Sequence, residues 1–444
     1  MSSEWPVLAL EECLDALIDY RGKTPEKTNS GIPLITAKII KAGRIETPTE
    51  FIAVNNYDSW MRRGIPKAGD VVLTVEAPLG EVAQLGLEKI ALAQRVVTLR
   101  GKAGLLDSTY LLYLLQSEET QGQLRSRATG TTVLGIKQSE LRKVLIKVPP
   151  LEVQLGAAQI LKTLDDRITL LREANVTLEA IAQALFKSWF IDFDPVHAKM
   201  EGRVPEGMDE AKAALFPDGF EESELGLVPN GWRVVTLGEI CAVTIGGLWG
   251  KDTKEDDDLV PVISLRGVDL ENLRSLGFAK DAPLRWVKPS AMEKRRVCDK
   301  EVLIASSGAG PCGRPLWAGT SFESIYGMPV IFSNFVKRLD CGNSAKAIYV
   351  DRLLAEMRNS KEIWNYINGT SIPNLDDKRL LASKLIVLPS DAILSAFEHI
   401  ARAIYSRLYS EQSQTLATLR DTLLHRLVSG QLRLPEAMEA LEAI

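Results

Sequence analysis

A GxGxxG pattern is the first candidate for chemistry, because such glycines hold the pyrophosphate of a dinucleotide when the last one opens a helix. The pattern here consists of Gly308, Gly310 and Gly313. Pro311 and Pro315 exclude a regular helix at this point. The sequence therefore predicts a turn rather than a cofactor site.

Other patterns that could hold phosphate or metal are incomplete. Residues 22–24 (Gly-Lys-Thr) end like a phosphate-binding loop, but Leu17 stands where that loop needs a glycine. Asp192 and Asp194 could face a cation, yet two carboxylates without further ligands bind divalent ions weakly. The three histidines and five cysteines have no metal, triad or disulfide spacing. We expect no catalytic residue, no metal site and no cofactor in this chain.

Polar, basic and aromatic side chains in turns and variable stretches remain as candidates for binding nucleic acid. Arginine can read guanine, glutamine or asparagine can read adenine, and serine or threonine beside glycine commonly hold phosphates. A surface ion pair is the alternative for any single arginine. The candidates are Arg21, Lys23, Thr24, Lys38, Arg62, Arg63, Gln94, Arg95, Arg125, Arg127, Thr131, Thr132, Trp249, Lys251, Arg266, Lys294, Arg295, Arg296, Ser306, Arg314, Asn368, Thr370 and Ser371.

A long helix must position these side chains. From Leu151 to about Asp194, one face repeats at alternating steps of three and four, the spacing of a coiled-coil seam. About 40 helical residues would span roughly 60 Å. Asn175 at a seam position would fix the register, or would be an ordinary partly exposed Asn. The seam residues are Leu164, Ile168, Leu171, Asn175, Leu178 and Leu185.

A second stretch predicts a partner for this helix. Ile404, Leu408, Leu419 and Leu423 share one face, and Gln412 interrupts it. Each long helix follows a region of mixed strand and turn character. The chain is thus predicted to alternate globular region, helix, globular region, helix.

The two globular regions repeat one framework. Residues 32–35 (Ile-Pro-Leu-Ile) resemble residues 260–263 (Val-Pro-Val-Ile), and Gly130-Thr131-Thr132 resembles Gly369-Thr370-Ser371. The residues between these matches differ. Two copies of one scaffold that present different binding surfaces would explain this pattern, and so would simple divergence after duplication.

Charge is unevenly distributed along the chain. The whole chain has a net charge of −5, but residues 1–150 carry +2 and residues 231–390 carry +3, whereas residues 151–230 carry −8. Both globular regions are therefore mildly basic, which permits phosphate binding. The amino terminus has no secretion signal and no apolar run reaches membrane-spanning length, so we expect a cytoplasmic protein without a membrane segment.

These features together resemble the specificity subunit of type I restriction-modification systems. The resemblance rests on residues 161–199 (LKTLDDRITLLREANVTLEAIAQALFKSWFIDFDPVHAK), on the paired Gly-Thr turns and on the closing LLHRLVSGQL of residues 423–432. It implies a mixed α/β fold with two target recognition domains separated by two long antiparallel coiled-coil helices. It also implies a non-catalytic subunit that binds double-stranded DNA, two modification subunits and restriction subunits. S-adenosylmethionine would be bound by the modification subunit.

The resemblance divides the chain into six parts. Residues 1–150 and 231–389 are the predicted recognition domains, residues 151–190 and 390–432 the spacer helices, residues 191–230 a connector packed on the helices, and residues 433–444 a tail. Recognition of a bipartite asymmetric target is the function this organisation predicts. A coiled-coil interaction scaffold that never binds DNA is the alternative.

Overall fold

The computed structural model describes residues 5–22, 24–131, 133–319, 322–369, 371–409 and 412–442. The chain forms two compact units: Met1–Arg167 with Ala417–Ile444, and Ile168–Leu416. Each unit contains one of the two predicted globular regions, and each receives part of the first long helix.

The first globular region contains eleven described strands, four α-helices and three 3-10 helices (Leu10–Cys13, Ala37–Ile39 and Val54–Asn56). Its strands are β1 Val7–Ala9, β2 Leu14–Asp19, β3 Ile32–Ile35, β4 Ile40–Lys41, β5 Arg44–Ile45, β6 Phe51–Ile52, β7 Val71–Val75, β8 Leu79–Gln84, β9 Ala91–Leu92, β10 Val96–Gly101 and β11 Leu145–Lys147. Its α-helices are α1 Tyr57–Trp60, α2 Ser108–Gln116, α3 Glu118–Ser126 and α4 Gln138–Arg142.

The long helix α5 and a short connector follow. Helix α5 is continuous over Leu151–Phe190. The connector is ordered rather than extended, because Trp189 of α5 packs edge-on against Phe216 with their ring centroids 5.1 Å apart. Its elements are α6 Asp194–Met200, α7 Glu210–Leu215, β12 Phe220–Ser223 and β13 Gly226–Pro229.

The second globular region has the same kinds of element, with 3-10 helices at Leu237–Glu239 and Glu362–Tyr366. Its strands are β14 Arg233–Thr236, β15 Ala242–Gly246, β16 Val260–Leu265, β17 Leu284–Val287, β18 Glu301–Ala305, β19 Pro315–Trp317, β20 Val330–Phe332, β21 Val336–Asp340, β22 Ile367–Asn368, β23 Asn374–Leu375 and β24 Leu385–Leu388. Its α-helices are α8 Gly267–Leu276, α9 Pro289–Glu293, α10 Phe322–Tyr326, α11 Ser344–Asn359 and α12 Asp377–Ser383.

The sheet topology confirms the predicted repeat. A four-stranded antiparallel sheet has the order β2-β10-β7-β8 in the first region and β15-β21-β18-β19 in the second. A smaller sheet, β6-β3-β9 or β17-β16-β20, contains one parallel pair in each case. The central strands β7 and β18 are buried along their whole length, as expected for strands covered on both faces.

The sequence places the helix starts equivalently in both copies. Asp107 accepts a hydrogen bond from the Tyr110 amide (2.8 Å) and begins α2, and Asn343 accepts one from the Lys346 amide (2.9 Å) and begins α11. Such side-chain caps satisfy amides that the first helical turn leaves unpaired. The caps fix the helix that crosses each four-stranded sheet.

The stretch predicted as a single spacer helix over residues 390–432 is divided. It consists of α13 Asp391–Leu408 and α14 Gln412–Ser429, and Tyr409 has left the helical conformation. Tyr409 is buried, stacked on Tyr405 with 5.7 Å between ring centroids and edge-on to Phe322. Helix α13 thus ends at this buried ring, and α14 begins at Gln412, the residue that interrupts the predicted face. The predicted tail contains a further helix, α15 Leu434–Glu442.

Candidate nucleic-acid interface

One edge of the first four-stranded sheet brings together segments that are distant in sequence. Strand β10 runs antiparallel to both β2 and β7, with Val97 opposite Asp19 and Val96 opposite Thr74. The end of β2, the end of β7 and the start of β10 therefore share an edge. The loops that carry residues 20–24, 76–78 and 93–95 leave the sheet there.

The Gly-Thr turn of the first region docks at the same edge. Gly135 pairs with Glu76, and the Ile136 amide donates to the Val75 carbonyl (3.0 Å). Gly130 has a φ of +113°, and a Cβ at this position would lie 2.1 Å from the Val133 carbonyl oxygen. Only glycine fits this turn, which leaves its neighbour Thr131 exposed.

Four sequence-predicted residues line one small cavity beside this edge. The cavity has a volume of about 160 Å³, and its walls include Thr24, Lys38, Gln94 and Arg95. The Thr24 hydroxyl lies 3.3 Å from the Gln94 side-chain oxygen. Lys38 and Arg95 are exposed, and Arg95 lies 3.9 Å from Glu76. The walls also include Lys27 and Glu50, which bind each other (2.8 Å). Cationic and hydrogen-bonding side chains therefore converge on one surface, which can bind a phosphate or a base edge.

Two predicted arginines bind the protein at this edge. The Arg21 guanidinium bonds twice to the Asp19 carboxylate (2.8 and 2.6 Å) and donates to the Ile136 carbonyl (2.7 Å). Arg63 donates from Nη1 to the carbonyl of Arg21 (2.8 Å). The structure thus makes Arg21 a positioning residue that ties the end of β2 to the Gly-Thr turn.

The other candidates in the first region are dispersed. Arg62 and Arg125 are exposed and have no carboxylate partner within the described ranges, and Arg127 lies 3.5 Å from Glu140. Lys23 and Thr132 lie outside the described residues.

The second region repeats this edge with different side chains. Gly246 at the end of β15 is opposite Lys337, and Ala305 at the end of β18 is opposite Val336 at the start of β21. The second Gly-Thr turn docks here as well, because Asn374 pairs with Ser307. The Leu375 amide likewise donates to the Ser306 carbonyl (2.9 Å), as Ile136 does to Val75.

Several predicted residues of the second region surround this edge. The Arg285 guanidinium stacks on the Trp249 ring at 4.1 Å, and Arg295 donates to the Gly246 carbonyl (2.9 Å). Ser306 is buried in the edge itself, while Ser371 in the turn is exposed. Asn368 donates to Asp376 (3.3 Å), and Thr370 lies outside the described residues.

The remaining cations of the second region bind carboxylates, with one exception. Arg266 bonds to Asp269 (2.9 Å), Arg314 to Glu271 (3.1 Å), Arg296 to Glu323 (2.5 Å) and Lys251 to Glu255. Lys294 is exposed and has no such partner within the described part of the chain. Ion pairs on the surface are weak in water, so the pairs of Arg314, Arg296 and Lys251 do not prevent these cations from binding phosphate. Arg266 differs, because its guanidinium is held by two hydrogen bonds to the buried Asp269. The GxGxxG glycines form the loop between β18 and β19, which confirms the predicted turn.

The seam residues are turned away from solvent within each unit. Leu164 and Leu423 are buried and Leu419 is half-buried in the first unit. In the second unit Ile168, Asn175, Ile404 and Leu408 are buried, and Leu171, Leu178 and Leu185 are half-buried. Asn175 Nδ2 approaches Gly277, the residue that ends α8.

A buried charge cluster ties α5 to the second recognition region, and nothing in the sequence patterns indicated it. We define it by Glu179, Arg274, Asp351 and Arg352. Arg352 is fully buried and bonds to Glu179 (2.8 Å) and to Asp351 (2.7 and 3.0 Å), while Arg274 bonds to both carboxylates. Although burial opposes it, Asp351 and Glu179 raise the pKa of Arg274 well above its ordinary value. Two positive and two negative groups therefore compensate one another.

The sequence of this chain is similar to those of known proteins. Residues 3–180 match the family model described as type I restriction modification DNA specificity domain. The specificity subunit of the type I restriction enzyme MjaIX from Methanocaldococcus jannaschii is 27% identical over 84% of this chain and 80% of its own length. The corresponding subunit of HindI from Haemophilus influenzae is 34% identical over 29% of this chain and 28% of its own length.

A solved structure shares the fold. The S subunit of a type I restriction-modification system from M. genitalium aligns over 96% of both chains with a TM-score of 0.52 and 16% identity. No helix among the described residues is long and apolar enough to cross a bilayer. Residues 3–180 thus match the DNA specificity domain of type I restriction-modification systems, and the chain is similar over most of its length to a specificity subunit of such a system, a non-catalytic subunit that recognises a DNA sequence.

Proposed function

We propose that this chain recognises a bipartite, asymmetric target in double-stranded DNA, one part at the sheet edge of each unit. One observation carries the proposal. The same edge occurs in both repeats with the same backbone hydrogen bonds, yet the side chains that it presents differ. A repeated frame with two different surfaces supports two different half-sites.

In this proposal α5 sets the gap between the half-sites. The helix is unbroken over its 40 residues, of which the part up to Arg167 belongs to the first unit and the part from Ile168 to the second. A helix of this length spans roughly 60 Å. Its length would then determine how many base pairs separate the two parts of the target, since DNA rises by about 3.4 Å per base pair.

The chain would act by positioning other subunits. Two modification subunits, which bind S-adenosylmethionine and methylate adenine, would be held on the target, and restriction subunits would complete the assembly. The match of residues 3–180 to the DNA specificity domain and the similarity to the MjaIX specificity subunit support a role within such a complex.

Genome-wide mapping of methylated adenine, with the gene intact and deleted, tests the proposal. We expect deletion to remove methylation at one split, asymmetric motif. Unchanged methylation in a cell that expresses the modification subunits would contradict recognition and favour the scaffold alternative.

An insertion tests the role of α5. Seven residues inserted after Leu171, matched by seven between Leu408 and Gln412, would lengthen a helix by about 10 Å. We expect the gap to grow by about three base pairs while both half-sites stay the same. As a control, seven residues inserted in the exposed turn at Gly202 should leave the gap unchanged. A changed half-site, or an unchanged gap, would refute the spacer role.

A further inference from the structure

Residues 94 and 95 precede strand β10, residues 334 and 335 precede strand β21, and backbone hydrogen bonds show that the two pairs are equivalent. The Arg95 carbonyl accepts from the Val75 amide (3.0 Å), and the Phe335 carbonyl accepts from the Ser306 amide (2.8 Å). Val75 and Ser306 are themselves equivalent, since each accepts the bond from its Gly-Thr turn.

A second pair of bonds fixes the same register. The Ala93 amide donates to the Ile35 carbonyl (3.0 Å), and the Ser333 amide donates to the Leu265 carbonyl (2.9 Å). Residues 93–95 of the first region therefore correspond to residues 333–335 of the second. Gln94 matches Asn334, and Arg95 matches Phe335.

The side chains at these positions have related chemistry. Gln94 and Asn334 both carry a carboxamide, the group that reads the N6 and N7 edge of adenine in the major groove. At the next position Arg95 can read guanine, whereas Phe335 has no charge and no polar group. Its ring offers apolar contact, and the thymine C5 methyl is the apolar group exposed in the major groove.

Phe335 is 59% exposed. Single exposed apolar residues are ordinary, but Ile372, in the Gly-Thr turn that docks at the same edge, is 64% exposed as well. The equivalent turn of the first unit also carries an exposed apolar residue, Val133, at 48%. Within the described residues no ring stacks on Phe335. Its side chain is therefore available to a ligand, while its backbone is held by the sheet.

We propose that Asn334 and Phe335 form the base-reading pair of the second unit, with Phe335 selecting thymine through its C5 methyl group. Gln94 and Arg95 form the equivalent pair of the first unit. The inference rests on the proposed function and names the residue that makes the two half-sites differ at equivalent positions.

The test uses the full chain with its modification subunits and a duplex that carries the motif found by mapping methylated adenine. Each thymine of the second half-site is replaced in turn by deoxyuridine, which lacks only the methyl group. One replacement should weaken binding by the wild-type complex about fourfold, the effect of one buried methyl group. The Phe335→Ala complex should bind the thymine-containing duplex more weakly than the wild-type complex does. Replacing the same thymine by deoxyuridine should not weaken its binding further.

Two more variants sharpen the result. Phe335→Arg should change the preferred base at that single position from thymine to guanine and should leave the first half-site unaltered. Leu227→Ala, which truncates a side chain that is 64% exposed on β13 of the same unit, should bind like the wild type. Thermal unfolding of Phe335→Ala should match that of the wild type, since the side chain is exposed.

The outcomes separate the inference from the proposed function. If the wild-type complex binds the motif selectively but Phe335→Ala keeps its affinity and its sensitivity to deoxyuridine, the inference is wrong and the proposed function stands. A second half-site without thymine would also overturn the inference. If the wild-type complex does not distinguish the motif from other duplexes, the proposed function falls and the inference falls with it.

Discussion

Removal of Arg352 should destabilise the second unit by about 3 to 5 kcal/mol, the usual result of breaking a buried ion pair from one side. The guanidinium is fully buried and makes three hydrogen bonds, two to Asp351 and one to Glu179. In Arg352→Ala the two carboxylates would share Arg274 alone. One buried negative charge would then lack compensation, and this charge accounts for most of the loss.

A double-mutant cycle tests the origin of that loss. Glu179→Gln alone should also destabilise the unit, because two arginines then face Asp351. In the double variant with Arg352→Ala the charges balance again. Its loss in the free energy of unfolding should therefore be smaller than the sum of the single losses by about 2 kcal/mol.

Denaturant unfolding followed by tryptophan fluorescence is suited to this measurement. Six of the eight tryptophans belong to Ile168–Leu416, and Trp317 lies 4.9 Å from Tyr405, whose hydroxyl donates to Asp351. Arg203→Ala removes an exposed arginine of the same unit and should change stability by less than about 0.5 kcal/mol. A loss for Arg352→Ala no larger than this control, or strict additivity in the double variant, would refute the cluster as a compensated unit.

Two further predictions concern the second unit. Gly277→Ala should destabilise it by about 2 to 4 kcal/mol, because φ is +79° and the new Cβ would lie 2.3 Å from the Leu408 carbonyl oxygen. The control Gly207→Ala has φ +71° but no atom within 4 Å, so it should lower the free energy of unfolding by only about 1 to 2 kcal/mol. Equal losses of the two variants in denaturant unfolding would contradict the close contact. Burial raises the pKa of Tyr326 from 10.0 to about 12. Its contribution to stability is therefore complete below pH 10 and falls as the pH rises to about 12, since in this range only the unfolded chain releases the proton. The alkaline decrease in the free energy of unfolding should be smaller for Tyr326→Phe, and an unchanged decrease would contradict this assignment.

The framework was predictable where local chemistry requires a residue type. Gly130 and Gly369 both have positive φ, so the paired Gly-Thr turns mark equivalent places in the two repeats. The continuous seam predicted α5. Gln412 marked the interruption of the second stretch, where α14 begins, whereas the packing of Tyr409 against Phe322 at the end of α13 has no signature in the sequence pattern.

The buried charge cluster was missed for a different reason. Glu179 lies 95 residues from Arg274 and 173 residues from Arg352 in the sequence. Each residue alone has the ordinary appearance of a charged side chain on a helix surface. Only the tertiary fold brings them together, and no local pattern distinguishes a buried arginine from an exposed one.

The base-reading pair shows why a search for basic residues finds only part of a DNA-binding surface. Gln94 and Arg95 were predicted from their types, but Asn334 and Phe335 were not, because a phenylalanine before a strand usually indicates core. Here the backbone of residues 333–335 makes the sheet's hydrogen bonds, while the side chain of Phe335 is 59% exposed. The fold therefore constrains the main chain at this position and leaves the side chain unconstrained. Substitution there can change the base that is read at little cost in stability, so the two repeats can keep one framework and recognise different sequences.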